Sequence, residues 1–100
     1  MVEIQIRGLE TFTEKEKEIT NKVINEYIPK FQRTVKTPIK LKIDIKEYDK
    51  DGKVKKYSIN SQIIFSGKIF VSSSWDWNLA KAIHKSMGKI ESELEHWIKK

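Results

Sequence analysis

Ile39-Lys40-Leu41-Lys42-Ile43-Asp44-Ile45-Lys46, then Asp51-Gly52, then Tyr57-Ser58-Ile59-Asn60-Ser61-Gln62-Ile63-Ile64-Phe65 form two alternating runs around a turn. In an extended chain successive side chains point to opposite faces. The isoleucines and Leu41 of the first run therefore share one face, and Lys40, Lys42, Asp44 and Lys46 share the other. Asp51-Gly52 tolerates the positive φ of a tight hairpin turn, so the second run folds back on the first. On that return strand Tyr57, Ile59, Ser61, Ile63 and Phe65 face the core. The product is an antiparallel pair with one dry face and one wet, positive face.

The flanks extend this hairpin into a domain. Val2-Glu3-Ile4-Gln5-Ile6-Arg7 alternates and stops at Gly8, which reads as a first strand. Thr13 with Glu16 three residues on is a capping box, and Ile19, Val23, Tyr27 and Phe31 give the apolar stripe of a helix behind it. Pro29 has no amide hydrogen, so the regular helix is expected to end near it. Ser66-Gly67-Lys68 turns the chain again into a strand over Ile69 to Ser72. A last helix is expected to begin near Ser74 or Asp76, burying Leu79, Ile83, Ser86, Met87, Ile90, Leu94 and Trp97. Gly88 inside it suggests close packing at that point. The predicted architecture is α+β, in the order β-α-β-β-β-α: a four-stranded mixed sheet with two helices packed on one face, like a double-stranded-RNA-binding domain. The crossover through a helix makes the first two strands parallel, and the hairpins make the rest antiparallel.

The chain has 100 residues and is expected to form a single domain over 1–100. With 38% hydrophobic residues it is rich enough to fold. It has no cysteine, which excludes disulfides, thiol nucleophiles and thiolate metal sites. No apolar run is long enough to cross a membrane, and no signal-peptide pattern opens the chain, so a cytoplasmic protein is expected. The formal charge is +6, and it is unevenly distributed. Residues 1–35 carry six basic and six acidic side chains, whereas residues 36–72 carry nine lysines against four acids. A uniform bias toward surface lysine, as heat stability selects, would not concentrate the excess in the middle third. A polyanionic partner explains it better.

Catalysis finds little support in the residues. His84 and His96 are twelve positions apart on one helix, about 18 Å, too far to share a metal or a proton relay. Asp49-Lys50-Asp51-Gly52 has its glycine at the fourth position rather than the sixth of a calcium loop. No catalytic residue, metal site or small-molecule cofactor is expected. The candidates for binding are lysines. Lys40, Lys42 and Lys46 stand on one strand face at spacings of about 7 and 13 Å, with Lys53, Lys55 and Lys56 just past the adjoining turn. Lys81, Lys85 and Lys89 recur every four residues on the last helix. Such rows can follow a phosphate chain, or can simply keep a surface soluble. Trp75 and Trp77 are candidates for base stacking or for the core, one of them being expected inside. Phe70 and Ile64 are expected opposite the core, as a small partner-facing patch.

Several stretches resemble the short ribosome hibernation promoting factors, also called ribosome-associated translation inhibitors. Ile4-Gln5-Ile6-Arg7-Gly8 followed by Thr13-Glu14 is similar to that family's opening strand and helix start. Ile69-Phe70-Val71-Ser72, then Asp76 and Ala80, is similar to its last strand and entry to the second helix. Ala82-Ile83, Lys89-Ile90 and Leu94 follow its spacing without a gap, while Glu91, Glu93 and Glu95 stand where basic or amide residues are usual, and His84 where an aspartate is. The resemblance implies binding to rRNA of the small ribosomal subunit near the decoding centre, blocking the mRNA and tRNA sites, with Lys89 and Lys22 carried over as RNA contacts. It implies a monomer or weak homodimer, without the dimerisation domain of the long family members. A different RNA-binding domain, one for double-stranded RNA, and a protein–protein adaptor or homodimer are the alternatives that the residues leave open.

Overall fold

The computed structural model describes residues 2–50 and 54–98. Six elements follow in the expected order: β1 (Val2–Arg7), α1 (Glu14–Thr34), β2 (Ile39–Lys50), β3 (Val54–Phe65), β4 (Lys68–Asp76) and α2 (Leu79–Ile98). The strands form one sheet in the order β1-β2-β3-β4, with β1 parallel to β2 and the other pairs antiparallel. The Asp51-Gly52 turn and Lys53 lie outside the described residues, although β2 and β3 pair as far as Lys50 with Val54. The second hairpin turns on Ser66 and Gly67, both at positive φ, which matches the right-handed twist of the flanking strands.

The register follows the alternation. Leu41, Ile43, Ile45, Ile59, Ile63 and Phe65 form the dry face, and α1 and α2 cover it with Ile24, Phe31, Ile83, Met87, Ile90 and Leu94. Thr13 caps α1 as its spacing predicts: its hydroxyl accepts from the Glu16 N–H and its own N–H donates to the Glu16 carboxylate. Gly8, at φ +97, crosses β2 so closely that an added Cβ would collide with the Ile45 carbonyl oxygen. Among the described residues, no helix is long and apolar enough to cross a membrane.

Five local expectations are corrected. α1 runs through Pro29 to Thr34. Pro29 faces solvent, and Phe31 just beyond it is wholly buried, so tertiary packing holds the helix past the missing hydrogen bond. α2 begins at Leu79, not near Ser74 or Asp76. Ser74 and Asp76 still pair with Ile59 and Tyr57 of β3, and the Asn78 side chain accepts from the Lys81 N–H at 3.0 Å to start the helix. Phe70 lies on the core face beside Ile63, with its ring 5.5 Å from that of Phe65; only Ile64 of the expected patch faces away. Trp97 is partly exposed at the end of the α2 stripe, edge-on to Phe65. Gly88 is not a close-packing position, since a Cβ there would meet nothing within 4 Å.

The seat of α2 is polar and small. Ser86 is buried, and its hydroxyl lies 2.7 Å from that of Ser61 on β3 and 2.9 Å from that of Ser72 on β4. One turn earlier, Ser74 donates to the Ala82 carbonyl at 2.9 Å. These short side chains bring the helix close to β4 and satisfy one another's polar groups.

The two glycines have opposite consequences. Gly88→Ala should raise the thermal midpoint by roughly 4–8 °C, since alanine gains about 1 kcal/mol over glycine inside a helix and clashes with nothing. Gly8→Ala should lower it by at least as much, from left-handed strain and the Ile45 collision. Calorimetry on the two variants checks both signs.

Candidate nucleic-acid interface

With both helices on one side, the other face of the sheet is bare. Its rows can be read across the strands: Glu3–Lys40–Ile64–Ile69, Gln5–Lys42–Gln62–Val71, Arg7–Asp44–Asn60–Ser73, Lys46–Ser58–Trp75, and Tyr48–Lys56. Alternate residues on a strand repeat at about 7 Å, which is also the spacing of these rows. Arg7, Lys40, Lys42, Lys46 and Lys56 stand here against Glu3 and Asp44, and the ion pair of Lys40 with Glu3 is long, at 4.0 Å. The apolar patch on this face is Ile64, Ile69 and Val71, the last two well exposed.

β4 is the outer strand, and α2 lies beside it. Lys89 reaches over the strand to donate to the Ser73 carbonyl at 2.7 Å, and Lys85 binds the Asp76 carboxylate at 2.7 Å. The Lys85 hydrogen bond, followed by the Asn78 N–H, holds the Asp76 carboxyl below its ordinary value. Both ammonium groups thus stand along the rim of the sheet, where they also blunt an open strand edge. An open groove of about 970 Å³ runs between rim and sheet, with Lys42, Asn60 and Gln62 on one side and Lys85, Gly88 and Lys89 on the other. The missing side chain of Gly88 leaves this groove wider.

The remaining sequence-predicted lysines are dispersed. Lys81 is exposed in the first turn of α2, one turn from Lys85. Lys22 is exposed on α1, one turn before Glu26, whose carboxylate lies 4.0 Å from His84 of α2; it belongs to the helical layer and not to the sheet face. Lys53 is outside the described residues. Lys55 points to the helix side, 2.8 Å from the Glu47 carboxylate and 3.9 Å from that of Glu16. Its charge is balanced there. The structure therefore gathers Lys40, Lys42 and Lys46 with Lys85 and Lys89, and separates Lys22 and Lys55 from them.

Arg7 and Tyr48 are additions that the alternation could have supplied, since each continues the parity of the open face, where the stacking candidate Trp75 also stands. Trp75 and Trp77 share a parity too, and both lie outside the core, 50% and 48% exposed. The expectation that one is buried is thus corrected: Leu79 and Phe12 complete the core at this end. The indoles meet edge to face at 5.8 Å, and the Lys56 ammonium lies 4.5 Å over the Trp75 ring. His84 bonds the Tyr27 hydroxyl at 2.9 Å, and among the described residues no cluster of three His, Asp or Glu side chains could hold a metal ion.

No protein-family model matches the chain, and no curated protein matches it in sequence. Solved structures do match it in fold. The N-terminal domain of Protein Y from Thermus thermophilus superposes with a TM-score of 0.65 at 16% identity, over 95% of this chain and 94% of that one. A ribosomal subunit interface protein from Coxiella burnetii superposes with a TM-score of 0.61, also at 16% identity, over 99% and 98% of the two chains. Both likenesses span the whole domain, and the α+β order read from the sequence is the order that these proteins share.

The cluster around Lys55 sets an acid limit on stability. Burial alone would push the Glu16 carboxyl up, but the Tyr57 hydroxyl, the Thr13 N–H and Lys55 hold it below its ordinary 4.5. A depressed carboxyl stabilises the fold above its unfolded value and loses that contribution as pH falls through the folded value. Thermal midpoints should therefore fall between about pH 6 and about pH 3, and fall less in Glu16→Gln. Equal drops in the two proteins would contradict this account.

Proposed function

We propose that this chain is a ribosome-associated, translation-inhibiting protein that binds rRNA of the small subunit near the decoding centre and blocks the mRNA and tRNA sites by its bulk. The observation that carries this reading is the uncovered sheet face, with Arg7, Lys40, Lys42, Lys46 and Lys56 against only Glu3 and Asp44, continued around the β4 rim by Lys85 and Lys89. Each cation placed on a phosphate releases a counterion, so a face of this kind gains affinity without reading sequence. Two further lines support it: the resemblance of the sequence to the short hibernation factors, and the full-length likeness to a domain whose fold is shared with a ribosomal subunit interface protein. The alternation puts lysines on the face that helices leave bare, which is where a bulky polyanion can dock.

The contacts proposed are Lys40, Lys42 and Lys46 from β2, Lys56 from β3, and Lys81, Lys85 and Lys89 from α2, with Lys22 and Lys53 as further candidates. Lys55 contributes least, because Glu47 and Glu16 already surround it. The protein acts by occupancy and not by catalysis, as a monomer or weak homodimer in the cytoplasm, and needs no cofactor.

Co-sedimentation with purified small subunits tests this directly. The protein should pellet at low salt and be released progressively above about 200 mM. Changing Lys40, Lys42, Lys46 and Lys56 together to Gln should flatten the log–log salt dependence by about 0.7–0.9 per lost phosphate contact, roughly three in total. A wild-type protein that stays in the supernatant at low salt overturns the reading, as does a four-lysine variant that binds as the wild type does.

A further inference from the structure

The aromatic end of the open face is unexplained by phosphate binding. Trp75, Trp77 and Tyr48 are each about half exposed, although the chain has other large apolar side chains wholly buried. Trp75 and Tyr48 stand in neighbouring rows toward one end of the sheet, beside Lys46 and Lys56. Those two rows contain no acid; Asp44 stands one row away on the same face, and Asp76 faces the other way and is bound by Lys85. Half-exposed rings beside ammonium groups, one of them over an indole, fit a ligand that is planar and anionic at short intervals.

We propose that Trp75 and Trp77, with Tyr48 alongside, stack on one or two unpaired bases of a single-stranded RNA whose backbone runs along Lys56, Lys46 and Lys42. This rests on the reading of the open face as an RNA-binding surface and names what that surface takes. A base laid on an indole brings its own phosphate within reach of Lys56, which already lies 4.5 Å over the Trp75 ring. The next phosphate passes Lys46, and the one after it reaches Lys42, about 13 Å further on by strand rise and past the Asp44 carboxylate, a run that an extended strand covers in two nucleotides or so. A duplex cannot use the platform along its length, because its bases already stack on one another and expose only their edges. A protein partner would use the rings but has no need of lysines in both rows.

The test uses the full chain and a ten-nucleotide oligo(U) or oligo(A), with an RNA hairpin of similar charge as the paired control. Fluorescence anisotropy of labelled RNA gives affinity, and quenching of tryptophan emission reports stacking. Wild-type protein should be quenched by the oligonucleotides and not by the hairpin stem. Trp75→Ala and Trp77→Ala should each weaken oligonucleotide binding roughly tenfold, with Trp75→Phe and Trp77→Phe staying within a few-fold of wild type. Hairpin affinity should be unchanged in all four variants, which also certifies their fold. Oligonucleotide binding that survives the double alanine variant, while the lysine-dependent pelleting with small subunits persists, overturns the stacking site and leaves the functional reading intact. Failure of wild-type protein to pellet removes the functional reading instead. If the alanine variants change only self-association in sedimentation velocity, the aromatic end is a contact between copies, and the stacking site is overturned.

Discussion

Ser86 sits at the point where α2 crosses the sheet, its hydroxyl shared with Ser61 of β3 and Ser72 of β4. A buried hydroxyl must find partners, and these three find one another. A larger side chain at any of the three would lift the helix away from β4. Because the helix is held this close to the outer strand, the neighbouring positions on its flank, Lys85 and Lys89, reach past the strand edge to the Asp76 carboxylate and the Ser73 carbonyl. The crossing thus decides which charges of α2 join the sheet face and which remain on the helical layer.

The other end of the core is fastened differently. Tyr57 donates to Glu16, Lys55 pairs with Glu47 and approaches Glu16, and Thr11 donates to Glu47. This ties the β2–β3 hairpin to the capped start of α1 through two carboxylates that are mostly hidden from water and a half-exposed lysine. Burial raises the Tyr57 hydroxyl, and the Glu16 carboxylate beside it raises it further, so the pair stays as a phenol and a carboxylate. One lysine of the basic segment is taken up by this fastening, which divides a sequence cluster into structural and available members.

What the two ends leave is a sheet with one face covered and one bare. The bare face is graded: aliphatic near Ile64, Ile69 and Val71, polar and basic through Lys42, Asn60 and Gln62, aromatic and basic at Tyr48, Lys56 and Trp75. Neutral amides and hydroxyls, Gln62, Asn60 and Ser58, line β3 opposite these lysines, and the two acids of the face are Glu3, 4.0 Å from Lys40, and Asp44. This is the physical basis for reading the face as an RNA surface, and the grading is the basis for placing unpaired bases at one end of it.

Much of this arrangement is legible in the order of the residues. The alternation over residues 39–46 and 57–65 assigns each side chain to its face, and Thr13 with Glu16 marks the start of α1, because both are properties of a few adjacent residues. Glycine and serine place the second hairpin turn for the same reason. The departures fall where distant partners decide. Pro29 does not end α1, because Phe31 is pinned by the core beyond it. Ser74 and Asp76 stay in β4, because Ile59 and Tyr57 pair with them. Phe70 turns inward by the register against Ile63. Lys55 and Lys85 look alike in the sequence, yet one is enclosed by carboxylates and the other stands at the rim. Chain chemistry alone sets the two faces of the sheet; only the folded arrangement, by bringing residues far apart in the chain within hydrogen-bonding reach, decides which lysines and which indoles share the open one.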